Sequence, residues 1–281
     1  MSLPRPKDNY LLSRDSEESK RLNTQHQILT KIAENTLIHP TIPVAGLRSI
    51  ADIGTGTGVW LRHVSESLGE APRKRYYHGF DISAEQFPPE LDGIDLSVQD
   101  ITVPFHEEHW NRYDLVHVRL LLAGLAESDY RSAVTNIYNI LKPGGYLQWE
   151  EVDEDSYPSP NAAMKEFKRC IGLAIKSAGK CFHAPRKICE ESRLAGFRDV
   201  QRIAYTPRSD PEMNVTAIIG SPYARFLLET GEAKSEEEAE ERAEELVQLE
   251  SQLSGQGDPS LFSVMRVVGQ KPVLSSSELL I

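Results

Sequence analysis

Short apolar runs that each stop at one polar or acidic residue recur through the first half of the chain. Ile50-Ala51-Asp52-Ile53 passes straight into Gly54, Gly56 and Gly58, and Tyr76 to Phe80 ends at Asp81. Ile94 to Gln99 ends at Asp100, and Tyr113-Asp114-Leu115-Val116-His117-Val118 is a fourth such run. Runs of this length between turn signals predict strands, and their separation predicts alternation with helices. Leu141-Lys142-Pro143-Gly144-Gly145-Tyr146-Leu147-Gln148-Trp149 predicts a helix end, a Pro-Gly-Gly stop and a fifth strand in succession. Upstream, Arg21, Gln25 and Ile28 share one helical face and Leu22, His26 and Leu29 another, so a polar edge runs beside an apolar one. Residues 161–195 and 210–254 also read as helical, the second with Ser235 at an N-cap and acids in the first turn.

The glycines carry the first chemistry. A strand feeding alternating glycines forms a turn that a ligand can approach closely. The spacing Gly54-x-Gly56-x-Gly58 departs from the G-x-G-x-x-G of dinucleotide sites, and Asp52 before the turn would repel a pyrophosphate. An ammonium or sulfonium would be favoured there instead, which points to an amino-acid-bearing nucleoside. No Gly-Lys-Ser or Gly-Lys-Thr follows, so a P-loop is not supported. Asp81 is placed to accept from ribose hydroxyls, and Asp100 from an exocyclic adenine amine.

In order, Asp-x-Gly-x-Gly-x-Gly, Asp81, Asp100, the Tyr-Asp-Leu-Val-His strand and Leu-Lys-Pro-Gly-Gly span about residues 48–152 and resemble the class I S-adenosylmethionine-dependent methyltransferases. The resemblance implies a Rossmann-like α/β fold, a seven-stranded mostly parallel sheet with helices on both faces and an antiparallel last strand. Residues 196–206 and 261–269 would supply the final two strands. It also implies an S-adenosylmethionine site of Asp52, Gly54, Gly56, Gly58, Asp81, Ile82, Asp100, Ile101 and Val118. At the N-terminus, Tyr10-Leu-Leu-Ser-Arg and Ser16 to His26 are similar to the lid of fungal secondary-metabolism methyltransferases, a group that includes regulatory proteins similar to LaeA. The expected organisation is a helical lid over residues 1–45 and a methyltransferase domain over 46–281. The two helical stretches are insertions after strands five and six. Tyr10, Arg21, Gln25, Arg119 and Trp149 are the expected substrate contacts. His26 is the leading catalytic base, with His117, Glu150 and Glu151 as further candidates.

Composition narrows the partners. The chain has 281 residues, 40% of them hydrophobic, enough for one α/β core with insertions. A net charge of −11 argues against a nucleic-acid backbone as partner. The Asn/Asp-Pro-Pro-Tyr signature of amino-methylating nucleic-acid enzymes is replaced by His117-Val118-Arg119-Leu120. Cys170, Cys181 and Cys189 lack metal or disulfide spacing, so reduced thiols and no metal are expected. No run is long enough for a membrane span and the first thirty residues do not read as a secretory leader, so a cytoplasmic protein is expected. The expected function is methyl transfer to oxygen, nitrogen or sulfur of a small secondary metabolite. A regulatory module working through a protein partner or homodimer, and a cyclase using the cofactor without turnover, are the alternatives.

Overall fold

The computed structural model describes residues 15–69, 74–157, 161–206, 216–255 and 263–273. Tyr10, residues 210–215 of the second insertion, residues 261 and 262 of the last strand and the Ser275 tail lie outside them.

Helix α1 covers Ser16–Ile32. Asp15 caps it, its carboxylate accepting from Glu18 N at 2.9 Å, with Glu17 and Glu18 in the first turn and Lys31 in the last. The chain then enters the parallel strands β1 (Ser49–Ile53), β2 (Tyr76–Asp81), β3 (Ile94–Val98) and β4 (Tyr113–Arg119), with α2 (Val59–Leu68) between the first two. Helix α3 (Tyr130–Ile140) leads into β5 (Leu141–Glu151). Helices α4 (Ala162–Ser177) and α5 (Ala184–Leu194) precede β6 (Arg198–Tyr205). Helices α6 (Thr216–Glu229) and α7 (Glu236–Gly255) precede β7 (Val264–Gln270).

The seven strands lie in the order β3-β2-β1-β4-β5-β7-β6, and β7 runs antiparallel to both neighbours. This is the expected Rossmann-like sheet. Every residue of β1 is buried, as a central parallel strand covered on both faces requires. One apolar cluster gathers Ala51, Ile53, Val116, Val118, Leu147 and Trp149 beneath α1, α3, α4, α5 and α6. The other gathers Ile50, Leu115 and Val268 beneath Trp60, Leu61 and Val64 of α2.

One expected boundary moves. Lys142-Pro143-Gly144-Gly145 does not precede the fifth strand but lies within β5, as an irregularity between the pairs Tyr113–Leu141 and Leu115–Tyr146. The glycines permit it. Gly144 has φ +82°, and a Cβ on Gly145 would stand 2.9 Å from Lys142 O and 3.0 Å from Tyr113 O.

Strand register also sets a polar row on the α2 face. Asp52 is opposite His117, His117 opposite Gln148, and Glu150 opposite both Arg119 and Arg266. Segment 36–39 covers this row. Gln148 Nε2 donates to Leu37 O at 2.9 Å, His39 N donates to Gln148 Oε1 at 2.8 Å, and Arg266 Nη2 donates to Thr36 O at 2.8 Å.

Candidate functional site

A cavity of about 430 Å³ opens at the carboxyl ends of β1, β2, β4 and β5, where ligands of open α/β sheets bind. Its floor is the turn from β1 to α2. Gly54 N and Thr55 N both donate to Phe80 O, at 2.8 and 3.0 Å, and this ties the turn to the end of β2. Gly56 N donates to Asp81 Oδ2 at 2.8 Å. Gly54 stands at φ +70°, where a Cβ would lie 2.6 Å from Leu121 Cδ2. Only glycine meets both demands, the left-handed backbone and the close neighbour.

The cavity wall includes Gly54, Gly56, Asp81, Ile82, Asp100 and Ile101 of the residues expected at the cofactor. Asp100 Oδ1 accepts from both Thr102 N and Thr102 Oγ1 at 2.8 Å, which fixes its carboxylate. Asp52, Gly58 and Val118 are placed elsewhere. Asp52 is 3% exposed and lies behind the turn, accepting from Thr55 Oγ1 at 2.8 Å and meeting His117 Nδ1 at 2.7 Å. Its carboxylate therefore shapes the turn and does not face a ligand charge. Gly58 caps α2, and Val118 is wholly buried in β4.

Of the expected substrate contacts, Arg21, Gln25 and Arg119 line the cavity. Trp149 does not. Its ring is fully buried and tilted against Tyr130, 5.9 Å between centroids, because its position in β5 faces the α3 side of the sheet. Among the base candidates, His117 is sealed beneath Trp60, the two rings stacked 3.7 Å apart. His26 is 3% exposed and also sits outside the cavity wall. Its ring nitrogens are both engaged, Nε2 with His63 Nδ1 at 2.9 Å and Nδ1 with Arg119 Nη1 at 3.1 Å. Burial, with Arg119 beside it, pushes the imidazole down to about 3. His26 is thus a neutral tie between helices and not the expected base.

Glu150 and Glu151 face opposite sides of β5, as consecutive strand residues must. Burial alone would raise the Glu150 carboxyl, but the guanidinium of Arg266 overrides that and holds it well below the usual range. Glu151 lines the cavity, where burial pushes its carboxyl up to about 8 against the pull of nearby backbone N–H donors.

Sequence reasoning missed much of the wall. Glu18 and Leu22 of α1, Gln86, Leu120 to Leu125, and Phe167, Ile171, Ile175, Ile219 and Phe226 of α4 and α6 all contribute. Apolar helical positions carry no mark that separates a pocket roof from core. The contacts of α1 are also long-range. Thr57 Oγ1 donates to Asn23 Oδ1 at 2.8 Å, and Ser19 Oγ donates to Gln86 Oε1 at 2.5 Å. Among the described residues no group of His, Cys, Asp and Glu could hold a metal, and no helix is long and apolar enough to cross a membrane.

Residues 23–202 match a family described as a methyltransferase domain. Methyltransferase grgD of a Penicillium species is 34% identical over 225 residues, covering 76% of this chain and 78% of that protein. N-methyltransferase sirN of Leptosphaeria maculans is 34% identical over 144 residues, 51% of this chain and 49% of that protein. Among solved structures, phosphoethanolamine N-methyltransferase 2 of Haemonchus contortus, in complex with S-adenosyl-L-methionine, is similar with a TM-score of 0.52. That likeness covers 94% of this chain and 54% of the Haemonchus chain at 18% identity, and it is a likeness of fold. The chain thus spans about half the length of the latter two proteins.

Proposed function

The chain belongs to the methyltransferase-domain family, and we propose that it transfers a methyl group from S-adenosylmethionine to nitrogen, oxygen or sulfur of an apolar small molecule. One observation carries the reading. A single cavity runs from a glycine turn flanked by Asp81 and Asp100 to a wall of aliphatic and aromatic side chains on α4 and α6.

The residues present fit the cofactor. A side chain at Gly54 would fill the cradle, while the two acids stand at the ends of β2 and β3 as acceptors for hydroxyl and amine donors. We assign cofactor binding to Gly54, Gly56, Asp81, Ile82, Asp100 and Ile101, and acceptor contacts to Arg21, Gln25 and Arg119. When bound, S-adenosylmethionine supplies an electron-poor methyl group on a sulfonium sulfur. The chain's part is to hold the acceptor in line and to keep water out, which its covered cavity suits. Residues 1–45 act as the lid on a core of 46–281. The Asn23–Thr57, Ser19–Gln86 and His26–His63 contacts of α1 support this, as does Leu22 Cδ1, 3.2 Å from where a Gly56 Cβ would stand. Cys170, Cys181 and Cys189 are buried free thiols, which suits a cytoplasmic setting.

Calorimetric titration of S-adenosylmethionine and S-adenosylhomocysteine into the wild type and Asp81→Ala tests the reading. Binding by the wild type that the variant loses is the expected result, followed by transfer of labelled methyl to apolar acceptors. No binding by the wild type would overturn it.

A further inference from the structure

Glu151 ends β5 in the cavity wall and is fully buried. Its Oε2 accepts from Leu122 N at 3.1 Å and its Oε1 from Val152 N at 3.2 Å. Among the described residues it forms no ion pair with Lys, Arg or His, whereas its neighbour Glu150 is paired with Arg266 Nη2 at 2.5 Å. The titratable groups that face it are Tyr130 of α3, Tyr157 and Cys181. Burial holds all three of those groups in their neutral forms. The surrounding wall is Leu122, Leu125, Tyr157, Phe167, Ile171 and Phe226.

An ionised carboxylate is costly in such a setting unless a cation joins it. The protein itself provides none there among the described residues. A ligand with an apolar body and a positive head would favour the ionised form over the neutral acid.

Resting on the methyltransferase reading, we propose that the methyl acceptor is an apolar amine and that Glu151 selects it, binding its ammonium and then taking the proton the nitrogen must shed. The step balances within the pair. The N–H bond breaks and its electrons stay on nitrogen as a lone pair, while the proton forms an O–H bond to the Glu151 carboxylate. An ammonium and a carboxylate become an amine and a carboxylic acid, and the nitrogen becomes nucleophilic. The backbone N–H of Leu121 and the indole N–H of Trp149 also draw on the carboxylate, and a charged ammonium is a stronger partner for it than these neutral donors.

Two other features agree. The carboxyl titrates at about 8, so at neutral pH the empty pocket holds an acid, and ammonium binding must release a proton. The Arg21 guanidinium, a cavity-lining cation, is spanned by Glu18 through two contacts of 2.7 Å, which tempers its repulsion of a cationic ligand.

The test is calorimetry on the full chain loaded with S-adenosylhomocysteine. The probes are 2-phenylethylamine, 3-phenylpropylamine and tryptamine, each against the matching alcohol, at pH 6.5, 7.5 and 8.5. At least one amine is expected to bind about tenfold or more tightly than its alcohol at pH 8.5. Its affinity is expected to fall about tenfold from pH 7.5 to 6.5, with a proton released to buffer, while alcohols show no such slope. Glu151→Gln is expected to lose the preference for amine over alcohol and keep S-adenosylhomocysteine binding. A staple that merely holds the 121–122 backbone would not produce that loss of preference. The proposal is overturned if no amine of the series binds, if alcohols bind as well, if amine affinity ignores pH, or if the variant keeps the preference. Should the variant fail to fold, the pH slope and proton release of the wild type decide alone. Failure of the wild type to bind S-adenosylhomocysteine would instead sink the methyltransferase reading, and the amine titration on unloaded protein would still judge Glu151.

Discussion

Arg119 Nη1 donates to His26 Nδ1 at 3.1 Å, and this contact fixes the tautomer of the histidine. A guanidinium can only donate, so Nδ1 is the acceptor and Nε2 carries the hydrogen. Nε2 then donates to His63 Nδ1 at 2.9 Å. One neutral ring therefore joins α1, α2 and the end of β4, and it has no lone pair left for a substrate.

Replacing His26 consequently loosens the seat of α1 without removing a base. His26→Ala is expected to weaken S-adenosylhomocysteine binding and to lower stability by about 1–3 kcal/mol, the cost of leaving the Arg119 donor and the His63 acceptor unpaired. Saturated kcat is expected to change little. Comparing kcat with the cofactor Kd checks this, and a fall in kcat of about a hundredfold or more with binding intact would restore His26 as a base.

A second prediction follows from the opposite signs of two titrations. The His26 value is lowered from 6.5 to about 3, so the unfolded chain binds more protons between those values and stability falls as pH drops below 6.5. The Glu151 value is raised from 4.5 to about 8, so its native form holds the extra proton and stability falls as pH rises from 4.5 to 8. Between pH 6.5 and 8 the Glu151 contribution acts without the histidine one. Wild type is expected to lose about 2 kcal/mol more than Glu151→Gln over that interval, since one pH unit of a fully unequal titration is about 1.4 kcal/mol. Urea unfolding of both proteins at pH 6.5 and 8 measures the difference, and parallel curves would contradict it.

The glycine turn gives a third. Gly54→Ala places a Cβ 2.6 Å from Leu121 Cδ2 at a residue with φ +70°. The left-handed backbone alone costs about 1–2 kcal/mol, and the clash adds to it. Leu121 lines the same cavity, so its displacement is expected to reduce cofactor affinity as well. Leu121→Ala in the same chain removes the clash but leaves the backbone strain. A double-mutant cycle on Tm and Kd is expected to show partial rescue, and strict additivity would refute the contact.

The sheet was legible because its signals are local: an apolar run, an acid, then glycines or a turn, repeated at βα spacing. The place of Asp81 and Asp100 in the cavity wall was legible for the same reason, since each lies at or just past the end of a parallel strand. Asp52 and Trp149 were misplaced because their orientation depends on which face of the strand each occupies. His117, 65 residues along, engages Asp52, and Tyr130 packs on Trp149. The fates of Glu150 and Glu151 diverge through the same alternation. The cation that separates them, Arg266, lies 116 residues from Glu150, beyond any local reading.

That pair supports the last prediction. Arg266 is 1% exposed, donates through Nε and Nη2 to Glu150 Oε1 at 2.9 and 2.5 Å, and lies 4.7 Å from the centroid of the Tyr205 ring. Arg266→Met deprives the buried Glu150 charge of its main partner and leaves it only His117 and Arg119, against a cost of about 3–5 kcal/mol when one partner of a buried pair is removed. The pair itself need not stabilise the fold that much, because both charges lost solvation on burial. Arg266→Met combined with Glu150→Gln is therefore expected to recover most of the loss. Acidity gives an independent check. In the wild type Glu150 is held below its ordinary 4.5 and stays ionised at pH 5, whereas without Arg266 burial is opposed only by His117 and Arg119 and the protonated form gains ground. The stability gap between Arg266→Met and wild type is expected to be narrower at pH 5 than at pH 8. Urea midpoints at the two pH values measure it, and a gap that stays constant, or a double variant no better than the single one, would show that the guanidinium acts through packing on Tyr205 and not through the Glu150 charge.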